Sequence, residues 1–198
     1  MIAILNRFSI VSHMHRRFYN DSGHVHFLTF SCYHKHHLLT SDRVRTWLAQ
    51  SIDSARAKHG FSLWAYVFMP NHVHLIIRPN RDDYSISKML RDIKEPTSQT
   101  YMAYLRKNAP WELEMLKARQ GKRAVYRMWQ AGGGFDRNLI ELDEIEEKVN
   151  YVELNPVRRG YVERPTDWVW SSARARADEQ AVPLTVDPVT IDGPVIQR

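Results

Sequence analysis

The chain has 198 residues, of which 43% are hydrophobic, and it carries a formal charge of +6 at neutral pH. This length suffices for one hydrophobic core, and the sequence has no run of roughly 18 apolar residues that could span a membrane, so we expect no membrane association. The single cysteine, Cys32, excludes an intramolecular disulfide framework and favours a reducing compartment, which predicts a cytoplasmic protein.

The first half of the chain alternates between strand and helix patterns. Residues 23–33 alternate in polarity and are rich in β-forming residues, which predicts a strand, and residues 40–60 predict a helix. Two further strands are predicted at 61–69 and 72–78, joined through the turn-forming pair Pro70-Asn71.

The second half of the chain is mainly helical in pattern. A helix is predicted over residues 85–109, with an interruption before Pro96 because the residue preceding a proline disfavours helical backbone. A glycine run at 132–134 indicates a loop, and residues 143–156 predict a helix that ends at Pro156. The order of elements does not fit a parallel doubly wound sheet. It predicts an α+β fold, a mostly antiparallel sheet with helices packed on one side.

The same patterns divide the chain into three parts. Residues 1–15 are predicted to be an N-terminal extension, residues 16–177 a single domain, and residues 178–198 a C-terminal tail. Beyond Pro183 the sequence is proline-rich and without periodicity, so we expect this tail to be extended or mobile.

Positive charge is concentrated between residues 104 and 127 and again after the last predicted helix, beside two tryptophans. Basic side chains mixed with aromatic ones suit a nucleic acid, whose phosphates attract cations and whose bases can stack. A solvated basic face over core tryptophans explains the composition equally well. The candidates for nucleic-acid contact are Arg106, Lys107, Lys122, Arg123, Arg127, Arg158, Arg159, Trp168 and Trp170.

Two histidines, His72 and His74, flank Val73 at the start of the third predicted strand. Side chains two residues apart on a strand point to the same face, so the two imidazoles are predicted to stand side by side. Paired neutral imidazoles can share a divalent metal if at least one further ligand is present. They can also be half-buried polar residues with no such role.

Three further pairs have the same His-X-His spacing: His13/His15, His24/His26 and His34/His36. The pair at 24 and 26 is the most serious competitor, because it also opens a predicted strand. A different metalloenzyme could combine it with a histidine at 34 or 36. That alternative predicts metal binding that survives the loss of the later pair.

The helix predicted at 143–156 offers a partner for the His72/His74 pair. At 100° per residue, its apolar stripe lies away from the face shared by Tyr151 and Asn155. A tyrosine hydroxyl, with a pKa of about 10, is a poor nucleophile unless a metal or cation assists it. A metal held by two histidines and an amide could polarise a phosphodiester for that attack. A surface tyrosine, or one packed on a neighbouring loop, is an equally open interpretation.

Three segments, "YVFMPNHVHLIIRP", "WQAGGGFDRNL" and "NYVELNPVRRGYVERPTDWVWSSA", together resemble the REP-associated tyrosine transposases of the HUH single-strand nuclease class. The resemblance extends from about residue 16 to residue 173. It implies a ferredoxin-like antiparallel sheet, with His72 and His74 as metal ligands, Asn155 as the third ligand and Tyr151 as the nucleophile. The implied metal is Mg²⁺ or Mn²⁺.

The reaction implied by this resemblance is site-specific cleavage of single-stranded DNA at palindromic repeats that fold into hairpins. Tyr151 would form a 5′-phosphotyrosine link and release a 3′-hydroxyl, and rejoining to another 3′-hydroxyl would complete strand transfer. The resemblance favours a monomer, although dimers that share active sites occur in the wider class.

Two other functions stay open from the sequence. A non-cleaving hairpin-binding protein of the same fold would keep the basic segments without depending on Tyr151. An RNA-binding α/β module would need stacking aromatics on a strand, and Tyr66 and Phe68 have that spacing.

Overall fold

The computed structural model describes residues 20, 23–121, 123–177 and 182–190, so that Lys122 and the His13/His15 pair lie outside the described residues. The described residues form β1 (Val25–Ser31), α1 (Asp42–His59), β2 (Phe61–Met69), β3 (His72–Pro79), α2 (Ile86–Asn108), α3 (Pro110–Met115), β4 (Lys117–Gln120), β5 (Arg123–Tyr126), β6 (Phe135–Leu139), α4 (Leu142–Glu153), α5 (Asn155–Arg158) and α6 (Ser172–Arg176). In this part of the chain, no helix is long and apolar enough to cross a membrane.

The main sheet has four strands in the order β2-β3-β1-β6, and every neighbouring pair is antiparallel. Helix α1 connects β1 to β2, and α2 lies on the path from β3 to β6. This is the β-α-β-β-α-β order of a ferredoxin-like domain. The α+β prediction is therefore confirmed. Strands β4 and β5 form a separate two-stranded ribbon inserted before β6.

Helices cover both faces of the sheet, which corrects the prediction that they pack on one side. Helices α1 and α2 pack over Val73, Leu75 and Ile77, whereas α4 packs through its apolar stripe against residues that include Trp64 and Ile76 on the opposite face. Strand β2 is apolar on both faces, and such a strand needs cover on both sides.

Helix α2 continues through Pro96 instead of breaking before it. Buried side chains lie on both sides of the proline, including Ile93 and Thr97, so packing holds the two halves in line. Pro96 itself is exposed on the outer face of the helix, where water can reach the backbone carbonyl that the proline cannot satisfy. Tertiary packing outweighs the local preference here.

The described tail residues, 182–190, form no helix or strand, and they are packed on the domain. Leu184 is buried, and the carboxylate of Asp187 accepts a hydrogen bond of 2.8 Å from the backbone N–H of Leu63 on β2. The tail thus covers part of the outer edge of β2, which as an edge strand would otherwise expose unpaired backbone groups.

Candidate active site

His72 and His74 open β3 and point to the α4 face of the sheet. Their ring centroids are 4.8 Å apart, and both side chains are buried. The intervening Val73 points to the opposite core, as the alternation of a strand requires. The predicted side-by-side arrangement of the two imidazoles is confirmed.

Each of these imidazoles is held by a hydrogen bond at Nδ1. The Nδ1 atom of His72 donates to Oδ1 of Asn71 at 2.7 Å, because an amide oxygen can only accept. Nδ1 of His74 lies 2.7 Å from the hydroxyl oxygen of Thr29, which sits directly opposite on β1. With a proton on Nδ1, the Nε2 atom carries the lone pair that can bind a metal.

Burial keeps both imidazoles neutral at physiological pH. It lowers the pKa of His72 to about 4, assisted by the positive charges of Arg159 and Lys35, while the amide of Asn155 opposes the shift. It lowers the pKa of His74 to about 3, assisted by His72 and by the same two cations. Neutral imidazole is the form that binds metals.

Tyr151 projects from α4 over this pair. Its ring centroid is 5.7 Å from that of His74 and meets Phe27 edge-on at 6.0 Å. Two cations flank the phenol: Nζ of Lys148 and Cζ of Arg158 each lie 5.2 Å from the ring centroid. Tyr151 is therefore placed beside the histidines and between two cations.

Asn155 completes the cluster. Helix α4 ends at Glu153, and Pro156 at the second position of α5 allows a new helical turn to begin at Asn155. The side chain is buried beside His72, and its Oδ1 makes no hydrogen bond within the described residues. A buried acceptor without a partner costs about 1–3 kcal/mol, which a cation would offset.

These donors fit a divalent cation. Two imidazole nitrogens and one amide oxygen are neutral ligands, and the described residues hold no cluster of three histidine, cysteine, aspartate or glutamate side chains that could serve instead. Three neutral ligands would leave coordination positions open and the positive charge of the cation uncompensated. Phosphate oxygens, which Mg²⁺ and Mn²⁺ prefer, could fill those positions.

Lys35 is a residue that the sequence patterns did not identify. It follows β1 in a short 3-10 turn, where His34 and Lys35 both have left-handed backbone, with φ of 48° and 59°. Its Nζ donates to Oγ of Ser31 at 3.2 Å, and Ser31 lies opposite His72 in the sheet. Non-glycine residues in this conformation cluster at functional sites, and here the turn directs a cation toward the histidines.

A family described as IS200-like transposases matches residues 19–117, which is half of the chain. The chain belongs to the IS200-like transposase family. The matched segment contains His72 and His74 and ends before Tyr151, so the role of the tyrosine depends on the geometry given above.

Two comparisons place this transposase near one subgroup. A protein of Haemophilus influenzae named as a REP-associated tyrosine transposase is 26% identical over 149 residues, which span 68% of this chain and 76% of that protein. A solved structure of a REP-associated tyrosine transposase bound to a REP hairpin is 22% identical, with a TM-score of 0.64, and the match covers 92% of this chain and 96% of that one. The structural match establishes the shared fold.

The other described histidine pairs of the transposase are engaged elsewhere. His26 is fully buried between Asp136, at 2.9 Å from Nδ1, and the hydroxyl of Tyr84, at 2.8 Å from Nε2. His24 contacts the amide of Asn138. The His34 and His36 rings meet edge-on, 6.2 Å apart, in the turn that follows β1. The described residues therefore do not support a metal site built on these histidines.

The basic and aromatic candidates of the transposase separate into different surroundings. Arg158 and Arg159 lie at the active site. Arg106 and Arg127 line a cavity on the opposite face of the sheet, while Lys107 and Arg123 are exposed outside that lining.

The two tryptophans make contacts within the domain, and their contact with DNA stays a prediction. Trp170 is buried, stacks on Phe68 and donates to Oδ1 of Asp42 at 2.7 Å. Trp168 donates to the backbone oxygen of Phe68 and is half-buried. Phe68 and Tyr66 are themselves fully buried, which removes the stacking platform that an RNA-binding module would need.

Proposed function

We propose that this transposase cleaves and rejoins single-stranded DNA at hairpin-forming repeats through a covalent link to Tyr151. The observation that carries this proposal is that Tyr151, two neutral histidines and Asn155 converge on one side of the sheet, and that Oδ1 of Asn155 has no hydrogen bond among the described residues. The REP hairpin bound by the structural relative supports the choice of DNA hairpins as substrate.

In the proposed reaction, the phenolic oxygen of Tyr151 attacks phosphorus as its proton leaves to solvent. A bond forms between that oxygen and phosphorus, the bond from phosphorus to the 3′-oxygen breaks, and the 3′-oxygen takes a proton. Lys148 and Arg158, which flank the ring, stabilise the phenolate, and Lys35 and Arg159 stabilise the charge on the phosphoryl oxygens. Reversal with a different 3′-hydroxyl joins two strands without an external energy source.

His72, His74 and Asn155 would hold Mg²⁺ or Mn²⁺. When bound, the ion supplies Lewis-acid polarisation of the scissile phosphate. Asn71 holds the proton of His72 at Nδ1, and the hydroxyl of Thr29 orients the ring of His74. The buried setting of the histidines keeps them unprotonated and limits competing water.

One chain supplies all of these groups, because α4 packs on the sheet that carries its own histidine pair. We therefore expect a monomer to be active. Mixing Tyr151→Phe protein with His74→Ala protein should give no activity, whereas recovered activity would mean that partner chains exchange their tyrosines.

A covalent-adduct assay tests the proposal. Wild-type protein incubated with Mn²⁺ and a labelled hairpin from a repeat near its gene should give a DNA–protein adduct on a denaturing gel, and Tyr151→Phe should give none. Tyr161→Phe, which changes an exposed tyrosine, is the matched control and should match wild type. Tight hairpin binding by wild type without any adduct would replace the proposal with a non-cleaving hairpin-binding protein.

A further inference from the structure

The end of α4 carries a further polar side chain between the proposed nucleophile and the proposed third ligand. Tyr151 precedes Glu153 by two residues, and Asn155 follows it by two. The side chain of Glu153 is only 12% exposed, and the proposed reaction makes no use of its carboxylate. A mostly buried carboxylate that does no chemistry needs another explanation, because burying a charge is costly unless it is paired.

The position of Glu153 is unfavourable for the helix itself. Glu153 is the last residue of α4, where the free backbone carbonyls carry partial negative charge. A carboxylate is disfavoured there, and the last turn of α4 has no basic side chain that could offset it. The charge of Glu153 must therefore be compensated by another element of the fold.

Helix α6 supplies that compensation through two donors. The hydroxyl of Ser172 and the Nε–H of Arg176 each donate to Oε1 of Glu153 at 2.7 Å. Ser172 is fully buried, and its hydroxyl oxygen accepts a hydrogen bond of 3.2 Å from the backbone N–H of Tyr66. The guanidinium of Arg176 also donates to the backbone oxygen of Trp64. Hydrogen bonds to an ionised group are roughly twice as strong as neutral ones, so these contacts hold the carboxylate in one place.

Both donors belong to a segment that pairs with the outer edge of β2. Ser171 forms a β-bridge with Val67, and the backbone N–H of Phe68 donates to the oxygen of Trp170 at 2.9 Å. The hydroxyl of Ser171 accepts a hydrogen bond of 3.3 Å from the backbone N–H of Ala173, which caps the start of α6. The position of α6 is thus fixed relative to β2.

The same row of the sheet carries one of the two site histidines. Val67 lies opposite His74 on β3, and His74 lies opposite Thr29 on β1. Glu153 is therefore tied to the strand next to the one that carries His74, whose ring centroid is 5.7 Å from that of Tyr151. The apolar stripe of α4 holds the helix on the sheet without a preferred direction, whereas the hydrogen bonds of Glu153 have one.

We propose that Glu153 is a positioning residue: its contacts with α6 hold the end of α4 and so place Tyr151 and Asn155 against the histidine pair. This inference rests on the proposed function and adds to it the group that fixes the nucleophile. A misplacement of about 1 Å can cost about 100-fold in rate. Loss of these contacts should therefore slow the chemical step and leave DNA binding intact.

Single-turnover cleavage with Mn²⁺ tests the inference, measured over a range of hairpin concentrations and expressed per folded molecule. Glu153→Ala should lower the maximal rate at least about tenfold, with the Kd for the hairpin within about twofold of wild type. Glu153→Gln keeps an oxygen that can accept both hydrogen bonds and should recover most of the rate. Glu146→Ala, which removes an exposed carboxylate from the same helix, is the matched control and should match wild type.

A double variant separates positioning from a general loss of stability. Arg176→Ala should also slow the reaction. Glu153→Ala with Arg176→Ala should be within about twofold of the slower single variant, because both changes remove the same contact. Losses that multiply, or a maximal rate of Glu153→Ala within about twofold of wild type whatever its melting temperature, would overturn the inference.

Hydrogen exchange followed by mass spectrometry reports on the end of α4 without any cleavage. In Glu153→Ala, peptides that cover residues 150–158 should exchange at least about tenfold faster, while those that cover β3 should be unchanged. Unchanged exchange at the end of α4 would overturn the inference even if wild-type protein forms its DNA adduct. Wild-type protein that forms no adduct would instead remove the proposed reaction, and the faster exchange would still show that Glu153 holds α4.

Discussion

Two histidine pairs with the same spacing, one at the start of β1 and one at the start of β3, differ in the hydrogen bonds of their rings. His26 of the His24/His26 pair has both ring nitrogens engaged by Asp136 and Tyr84 in the core. In the His72/His74 pair the hydrogen bonds made within the described residues reach only Nδ1 of each ring. Spacing alone does not identify a metal site. Both sides have a buried oxygen without a hydrogen bond among the described residues, Oδ1 of Asn155 on one and Oδ2 of Asp136 on the other. The useful signal is therefore which ring nitrogens the surroundings leave unengaged.

The largest difference between the pairs should appear in activity. His74→Ala removes a ligand and should lower the rate of adduct formation by at least about 100-fold, because outer-shell changes alone cost about 10–100-fold. The variant also loses the hydrogen bond to Thr29 and the packing on Phe27, so we expect some loss of thermal stability and compare the rate per folded molecule. A single-turnover gel assay measures the rate. An activity within a few-fold of wild type would show that the pair is structural.

At the His24/His26 pair we expect a loss of stability without a loss of activity. His26→Ala leaves the Asp136 carboxyl buried without its ring partner and should lower the free energy of unfolding by about 3 kcal/mol. Cleavage per folded molecule should be unchanged. Urea unfolding provides the measurement, and His24→Ala, at a half-buried position, is the control with a loss below about 1 kcal/mol. Loss of activity without loss of stability would reverse the assignment of the two pairs.

A smaller change in the cleavage rate is expected when a residue that orients a histidine is altered and the histidine itself is kept. Thr29→Val keeps the shape of the side chain but removes the hydrogen bond to His74, so cleavage should slow by about tenfold. Thr29→Ser restores a hydroxyl and should recover most of the rate. If valine and serine give the same rate, the hydroxyl does not position the imidazole.

The sequence was sufficient for much of this site because the relevant periodicities are local. Alternation along β3 placed the two imidazoles on one face, which agrees with the structure. The prediction of one helix that carries both Tyr151 and Asn155 is wrong, because α4 ends at Glu153 and Asn155 begins α5. Both side chains still lie beside a histidine of the pair. The strands and the α+β class followed from the same kind of pattern.

The features that sequence patterns missed depend on long-range pairing. Lys35 and Thr29 join the site through the register of β1 against β3, which no local pattern specifies. Trp170 makes contacts with Phe68 and Asp42 that no local pattern specifies. The second helical layer arises in the same way, since only the folded sheet has two faces to cover.

Metal binding tests the central claim most directly. Titration of Mn²⁺ into the protein, followed by electron paramagnetic resonance of the free ion, should show one site per chain in wild type. The site should be lost in the His72→Ala/His74→Ala double variant and retained in the His24→Ala/His26→Ala double variant. Binding that survives loss of His72 and His74, or that disappears with His24 and His26, would contradict the account.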